Sequence, residues 1–345
     1  MTEHSIPAQA ASRPHWREVV LKYQQPEVWR ALWQALNSIV PYVGLWILMF
    51  YSVRVSYWLT LPLILLAGGF TVRMFIIFHD CGHGSFFKSK RANTVLGCLT
   101  GVLTLTPFHQ WRWEHGIHHS SSGDLDRRGT GDIWTLTVQE YLESSRARRF
   151  AYRLARNPLV LFVLAPLFLF LVLQRMPASK APRRERFSVY LTNMALLGLG
   201  AILSLCFGFK TFLFLQLGIL MVAGSAGIWL FYVQHQFEGV YWQRGQDWDY
   251  AQAALQGSSF YKLPKVLQWF SGNIGFHHIH HLSPRIPNYN LERCHKAEPL
   301  FQTVKPVTLL GSLKSFTFRL YDERNRRLIS FRALRSLPRQ DYARR

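Results

Sequence analysis

Four stretches of the chain are almost wholly apolar, and they come in two closely spaced pairs. Residues 39–53 form the first run and residues 59–78 the second, with only Arg54 to Trp58 between them. Residues 189–209 form the third and 211–233 the fourth, joined at Lys210. A helix needs about 20 apolar residues to cross a hydrocarbon core of about 30 Å. Each pair therefore predicts a transmembrane helical hairpin. The first run is short at its core and draws on its flanks to cross.

Two further apolar pieces are less regular. Residues 94–107 are too short to cross comfortably, and residues 158–174 are long enough but carry Pro166 at the middle. Residues 1–36 are polar, with Trp16, Val20, Tyr23 and Val28 set among Arg17, Lys22 and Arg30. That segment has amphipathic character, and its first 20 residues lack the apolar centre expected of a cleavable signal peptide. From Arg285 onward the chain is basic and only modestly apolar, which reads as a cap outside the bilayer.

Charge orients these pieces. Forty Lys or Arg stand against nineteen Asp or Glu, a formal net charge of +21, while 49% of residues are hydrophobic. So much apolar mass excludes a disordered basic tail, and a soluble nucleic-acid binder has no use for runs of this length. With four crossings, Arg54 and Lys210 fall on the outer joints and Arg73 lies within a span. The other 37 basic residues then share one side, which the positive-inside rule assigns to the cytoplasm. A further crossing at 158–174 would carry Arg175, Lys180, Arg183, Arg184 and Arg186 to the outside. That segment is therefore expected to lie in plane or to re-enter. Arg73, six residues before His79, is expected to snorkel to the boundary. The four cysteines, Cys81, Cys98, Cys206 and Cys294, are too few and scattered for a disulfide framework. The fold class is thus all-α and integral to the membrane: four transmembrane helices in two hairpins, in-plane or re-entrant segments, and a histidine-rich cytoplasmic cap. Residues 1–36 form a cytoplasmic N-terminal segment, 37–300 the membrane domain and 301–345 a basic cytoplasmic tail.

The fourteen histidines carry the chemistry. His79 and His83 lie in HDCGH at the end of the second run. His115, His118 and His119 lie in HGIHH, and His277, His278, His280 and His281 in HHIHH. His235 stands alone at the end of the fourth run. Residues at i, i+3 and i+4 share a helix face. His79/His83, His115/His118/His119 and His277/His280/His281 can therefore each converge on one point. His278 is three residues from His281, so spacing leaves it open; His277 is preferred because it pairs with both His280 and His281. With His235, nine candidate ligands gather at one membrane surface. Neutral imidazole suits iron, copper, nickel and zinc. Nine ligands exceed what one zinc ion takes, and H-E-x-x-H, the signature of zinc peptidases, is absent. Two transition-metal ions with four or five nitrogens each would use them all. His4, His15, His109 and His295 are left as structural or solvated.

An all-imidazole site leaves the metal charge uncompensated by its ligands. Carboxylates are expected to accept N–H from ligating rings, and Asp80, Glu114, Asp124, Asp126, Asp132 and Glu238 are close in sequence. The small residues Gly224, Ser225 and Gly227, with Trp229, suit either a groove for an apolar ligand or ordinary helix packing.

The segments HDCGHGSFF, HGIHHSSSGDLDRRGTGDIW, WLFYVQHQFE and GNIGFHHIHHLSPRIPNY resemble the integral-membrane fatty acid desaturase family, in particular its bacterial acyl-lipid branch and the Δ5 phospholipid desaturases of bacilli. The resemblance runs from the first span to the third histidine box. It implies a centre of two iron ions held by His79, His83, His115, His118, His119, His235, His277, His280 and His281. It implies a cis double bond placed in the acyl chains of membrane phospholipids, using O2 and two electrons. One position departs. Relatives of the stearoyl-CoA branch have an Asn one turn before the lone histidine, where it holds a metal-bound water, and here that residue is Phe231. The chain shows no haem, flavin or iron–sulfur cassette of its own, so the resemblance implies a ferredoxin or flavodoxin donor, and the basic face suits an acidic carrier as well as anionic lipid. A bacterial inner-membrane location with the centre on the cytoplasmic side follows. The boxes leave open a membrane di-iron hydroxylase or ketolase, since the outcome depends on substrate placement. An ion transporter would want ionisable groups deep in the spans, and apart from Arg73 there are almost none.

Overall fold

A computed structural model describes residues 15–337, the side chain of residue 15 excepted. A short helix α1 (His15–Leu21) leads into the first hairpin, α2 (Val28–Val55) and α3 (Tyr57–His83). Ser56 alone joins the two. Its extended backbone, φ −163°, ends α2, and its side chain accepts from the Trp58 amide to cap α3. α2 starts well before the apolar run at 39–53. Trp29 and Trp33 are exposed on that extension, as suits amphipathic rings at headgroup level.

The next two helices, α4 (Lys90–Leu103) and α5 (Phe108–Ser121), double back beside α3. The run at 94–107 is therefore mostly α4, whose fourteen residues span about 21 Å and cannot cross. Its turn is tight because Gly97 lies under Phe108: a Cβ there would sit 2.2 Å from the ring. A strand β1 (Leu136–Thr137) and helices α6 (Val138–Glu143) and α7 (Arg146–Ala155) follow. A capping box between Thr137 and Glu140 starts α6.

At 158–174 the chain forms a π-helical turn (Val160–Leu164), α8 (Ala165–Leu171) and a 3-10 turn ending at Arg175. This segment breaks from α7 by 63°. Its far end is tied down: Arg175 donates to Asn193 Oδ1 at 2.9 Å and to the Leu105 carbonyl, and its own carbonyl accepts from Asn193 at 2.9 Å. The second hairpin is α9 (Arg183–Phe207) and α10 (Phe209–His235). Gly208, at φ +83° and ψ +136°, is the joint, a conformation open to glycine. Lys210 lies inside the first turn of α10 instead.

Among the described residues, α2, α3, α9 and α10 are the four helices long and apolar enough to cross a membrane. α3 and α10 pack against each other, and both end in a histidine. Arg73 does not snorkel. It is 6% exposed, its Nε donates to Ser38 Oγ at 3.0 Å, its Nη1 bonds the Trp269 carbonyl, and its guanidinium lies 3.8 Å from the Trp269 ring centre. Partners within reach make burial cheaper than extension. Gly224 serves packing, since a Cβ there would meet Pro166 at 2.8 Å.

The remaining chain builds the cap: α11 (Tyr250–Gly257), β2 (Phe260–Lys262), α12 (Lys265–Phe270), α13 (His277–Leu282), α14 (Asn288–Ala297), α15 (Pro299–Gln302), β3 (Pro306–Thr308), α16 (Leu309–Ser312), β4 (Leu320–Asp322), β5 (Arg327–Ile329) and α17 (Phe331–Leu334). β2 pairs with β3 in parallel. β4 lies between β1, parallel to it, and β5, antiparallel to it. These strands of two or three residues were not legible as apolar alternation. Val19 and Val20 of α1 join Ile279, Leu282, Leu291 and Phe301 in the core behind α13.

Candidate metal centre

Each histidine box occupies one helical turn aimed inward. α3 delivers His79 and His83, α5 delivers His115, His118 and His119, α10 ends on His235, and α13 carries the third box. The rings fall into two adjoining groups. In the first, His79, His83, His115, His119 and His280 each place a nitrogen within 4.8 Å of the others. In the second, His118, His235 and His281 do the same. His277 joins this second group through His235, Nε2 to Nε2, at 3.0 Å.

Neighbours in sequence part company here. His118 and His119 go to different groups, as do His280 and His281. Successive helical residues point about 100° apart, so one helix serves two points. The groups touch where the His119 and His281 rings stack at 4.1 Å.

Several nitrogens meet edge to edge: His119 with His115 at 3.0 Å, His280 with His119 at 3.1 Å, and His118 with His235 at 3.2 Å. Two nitrogens bound about 2.1 Å from one ion at a right angle lie about 3.0 Å apart. Nε2 of His83 and of His281 are buried with no hydrogen-bond partner. A buried nitrogen lone pair without a donor is costly, and a cation answers it. The donor set is all imidazole, which suits a borderline transition metal.

Burial holds His115, His119, His277, His280 and His281 well below the ordinary histidine range, and neighbouring imidazoles add to the effect. The rings are thus neutral and their lone pairs free at neutral pH.

Two of the six candidate carboxylates reach a clustered ring. Asp132 Oδ1 lies 2.6 Å from His118 Nδ1, and Asp80 Oδ1 lies 3.2 Å from His79 Nδ1. A carboxylate only accepts, so each ring donates from Nδ1 and turns Nε2 inward. Burial raises the Asp132 pKa, but the hydrogen bond and charge of His118 outweigh it and the group ends below its usual value. Asp80 is itself held by Asn288, whose amide and side chain donate to Oδ2 at 2.6 and 2.8 Å. Asp124 bonds Arg127, Asp126 bonds Arg244, and Glu238 bonds Lys314. Glu114 makes no hydrogen bond to a clustered ring among the described residues.

His278 points the other way. It is fully buried, with its ring 5.5 Å from His295 and 5.6 Å from Phe260. His295 also lies against Phe260 and Phe276, and His109 against Phe108, so neither enters the groups. His4 and the side chain of His15 lie outside the described residues. Phe231 places its ring 5.1 Å from His235 and 5.3 Å from His118, an apolar wall where an amide would be polar. Trp111 stacks on His115 at 4.3 Å and closes another side.

Residues beyond the boxes lock the end of α10. Arg156, 1% exposed, donates to Gln236 Oε1 at 2.9 Å and Tyr232 Oη at 3.2 Å. Gln234 donates to the Ile274 carbonyl at 3.0 Å. Sequence spacing gave no sign of Arg156; only its place before an apolar segment set it apart from the other arginines.

Comparison with known proteins places this geometry. The family described as fatty acid desaturase matches residues 56–306. A fatty acid desaturase of Bacillus subtilis (strain 168) is 51% identical over 338 residues, covering 98% of this chain and 95% of that one. An sn-1 acyl-lipid omega-3 desaturase (ferredoxin) of Synechocystis is 29% identical over 267 residues, covering 72% and 68%. A probable fatty acid desaturase of Sorghum bicolor is 29% identical over 316 residues, covering 82% and 76%.

Proposed function

Because the chain belongs to the fatty acid desaturase family, we propose that it places a cis double bond in the acyl chains of membrane phospholipids. The reaction consumes O2, two electrons and two protons, removes two hydrogens from adjacent methylenes and releases two waters. The observation that carries this reading is the sorting of nine histidines into two touching groups.

In this reading His79, His83, His115, His119 and His280 hold one iron, and His118, His235, His277 and His281 hold the other. Bound iron supplies the oxidising power that an unactivated methylene pair demands. The protein's part is placement and exclusion. Asp132 and Asp80 fix the tautomers of His118 and His79. Asn288 holds Asp80 in turn. The rings of Trp111 and Phe231 keep water from the flanks of the centre. The lipid arrives sideways from the bilayer, held so that its target carbons lie close to the metals.

The electrons come from a small acidic carrier, a ferredoxin or flavodoxin, since complementary charge speeds encounter with a basic face. The ferredoxin-dependent relative from Synechocystis supports that choice. The membrane is the bacterial cytoplasmic membrane, with the centre on the cytoplasmic side, where the basic residues gather.

The test is expression in a bacterium without polyunsaturated lipids, with double-bond mapping of its fatty acids. A new cis alkene is the expected product, lost in His280→Ala. A hydroxylated chain with no alkene would overturn the proposal.

A further inference from the structure

We propose that α12 and α16 form a second foothold of the cap in the bilayer, embedded at the boundary between acyl chains and anionic headgroups. The claim concerns how the cap sits on lipid and is independent of the metals and of turnover.

The parallel pairing of β2 with β3 sets Lys262 beside Thr308, so the two following helices start side by side. Tyr261 fastens the pair: its hydroxyl bonds Ser312 Oγ at 3.0 Å and accepts from Trp229 of α10 at 3.3 Å. Both helices show apolar side chains outward. Val266 is 67% exposed and Leu310 is 80% exposed, with Leu267 and Leu309 also exposed, and Leu313 just after α16.

Depth decides what covers them. Trp269 of α12 packs edge-on against Phe70 and stacks on Arg73, both within α3. Those residues precede His79 by nine and six positions, about 14 and 9 Å toward the bilayer. Phe316, just after α16, stacks on Trp229 at 4.5 Å. Trp229 precedes His235 by six positions, again about 9 Å. Both short helices therefore lie beside the spans, deeper than the histidines. An apolar face at that depth meets lipid.

The flanking charges set the height. Lys262 and Lys305 are exposed around the two helices, as are Lys265 and Lys314, which pair with Glu292 and Glu238. Apolar contacts flanked by lysines suit an in-plane segment on an anionic surface. α12 leads within six residues to α13, so the foothold anchors the strand of chain that presents the third box.

The test uses the full chain in vesicles of phosphatidylethanolamine and phosphatidylglycerol. Single cysteines replace Val266 and Leu310 in a background with exposed Cys98 and Cys206 changed to Ser, and carry an environment-sensitive fluorophore. Gln139→Cys on α6 is the aqueous reference. The expected result at both sites is strong quenching by lipid nitroxide near the headgroup and at least a fivefold weaker quenching by iodide than at the reference. Iodide quenching at either site equal to the reference overturns the proposal. Circular dichroism of each labelled protein excludes a trivial loss of fold, and Val266→Ser with Leu310→Ser provides a second reading: its cap should become more open to protease at 263–276 in vesicles, and an unchanged cleavage rate counts against the foothold.

Discussion

Asp132 accepts a hydrogen bond from Nδ1 of His118 at 2.6 Å, while Nε2 of the same ring faces His235 at 3.2 Å. One carboxylate thus sets which nitrogen of His118 is turned toward the second group. Asp132→Asn keeps the shape but removes the charge and permits the wrong tautomer. Loss of such a partner typically weakens metal binding about 10–100-fold. Iron per chain should fall from about two toward one at limiting metal, with the five-histidine group retained. Iron analysis with Mössbauer spectroscopy reads this directly, and two unchanged iron signals would remove the assigned role.

The two adjacent histidines of the third box should separate in a substitution test. His277 meets His235 at 3.0 Å, whereas His278 sits in an apolar pocket with Phe260 and His295. His277→Ala should abolish the alkene product and lower bound iron. His278→Gln should retain both, with only a drop in thermal stability. Equal loss in both variants would contradict the two-group assignment.

Arg73 bridges Ser38 on α2 and the Trp269 carbonyl of α12. A lysine keeps the charge but cannot span both acceptors. Arg73→Lys should cost about 2 kcal/mol, the scale of a charge-assisted hydrogen bond. Denaturant titration in detergent micelles checks the loss, and a variant as stable as the parent would show the bridge to be idle.

Acid should loosen the tie between α12 and α14. Partial burial raises the Glu292 pKa, but hydrogen bonds from Lys265, Lys296 and Gln268 outweigh it and bring the group down to about 2. A depressed carboxylate stabilises the fold above its unfolded pKa of about 4.5, and the gain is lost as pH falls toward the folded value. The stability gap between the parent and Glu292→Gln should be full at neutral pH and about half gone near pH ~3.3. Thermal unfolding at several pH values measures it; a gap that does not change with pH would rule out the linkage. Lys265 is exposed although Glu292 is mostly covered, so salt should narrow the gap as well.

Much of the site was readable because helical period and ligand spacing coincide. His79 with His83, and His115 with His118 and His119, share faces by arithmetic alone. The same arithmetic could not divide His118 from His119, because it takes the other helices to define two points instead of one. Asp132 was one of six candidates, and only the loop after α5 brings it back to its ring. The spans were legible from apolar runs, yet α2 begins at Val28 because Trp29, Arg30 and Trp33 suit a helix at the headgroups while breaking the apolar pattern. Arg73 was misjudged because the partner that buries it, Trp269, lies 196 residues away.

The division of adjacent histidines has a mechanical corollary. With α5 and α13 each contributing to both groups, the spacing of the two groups is written into the pitch of two short helices. Inserting one residue in either would swing its rings through about 100° and dismantle both positions together. Each half of the centre can be weakened by itself from outside, through partners such as Asp132, but a slip of register in either helix takes both.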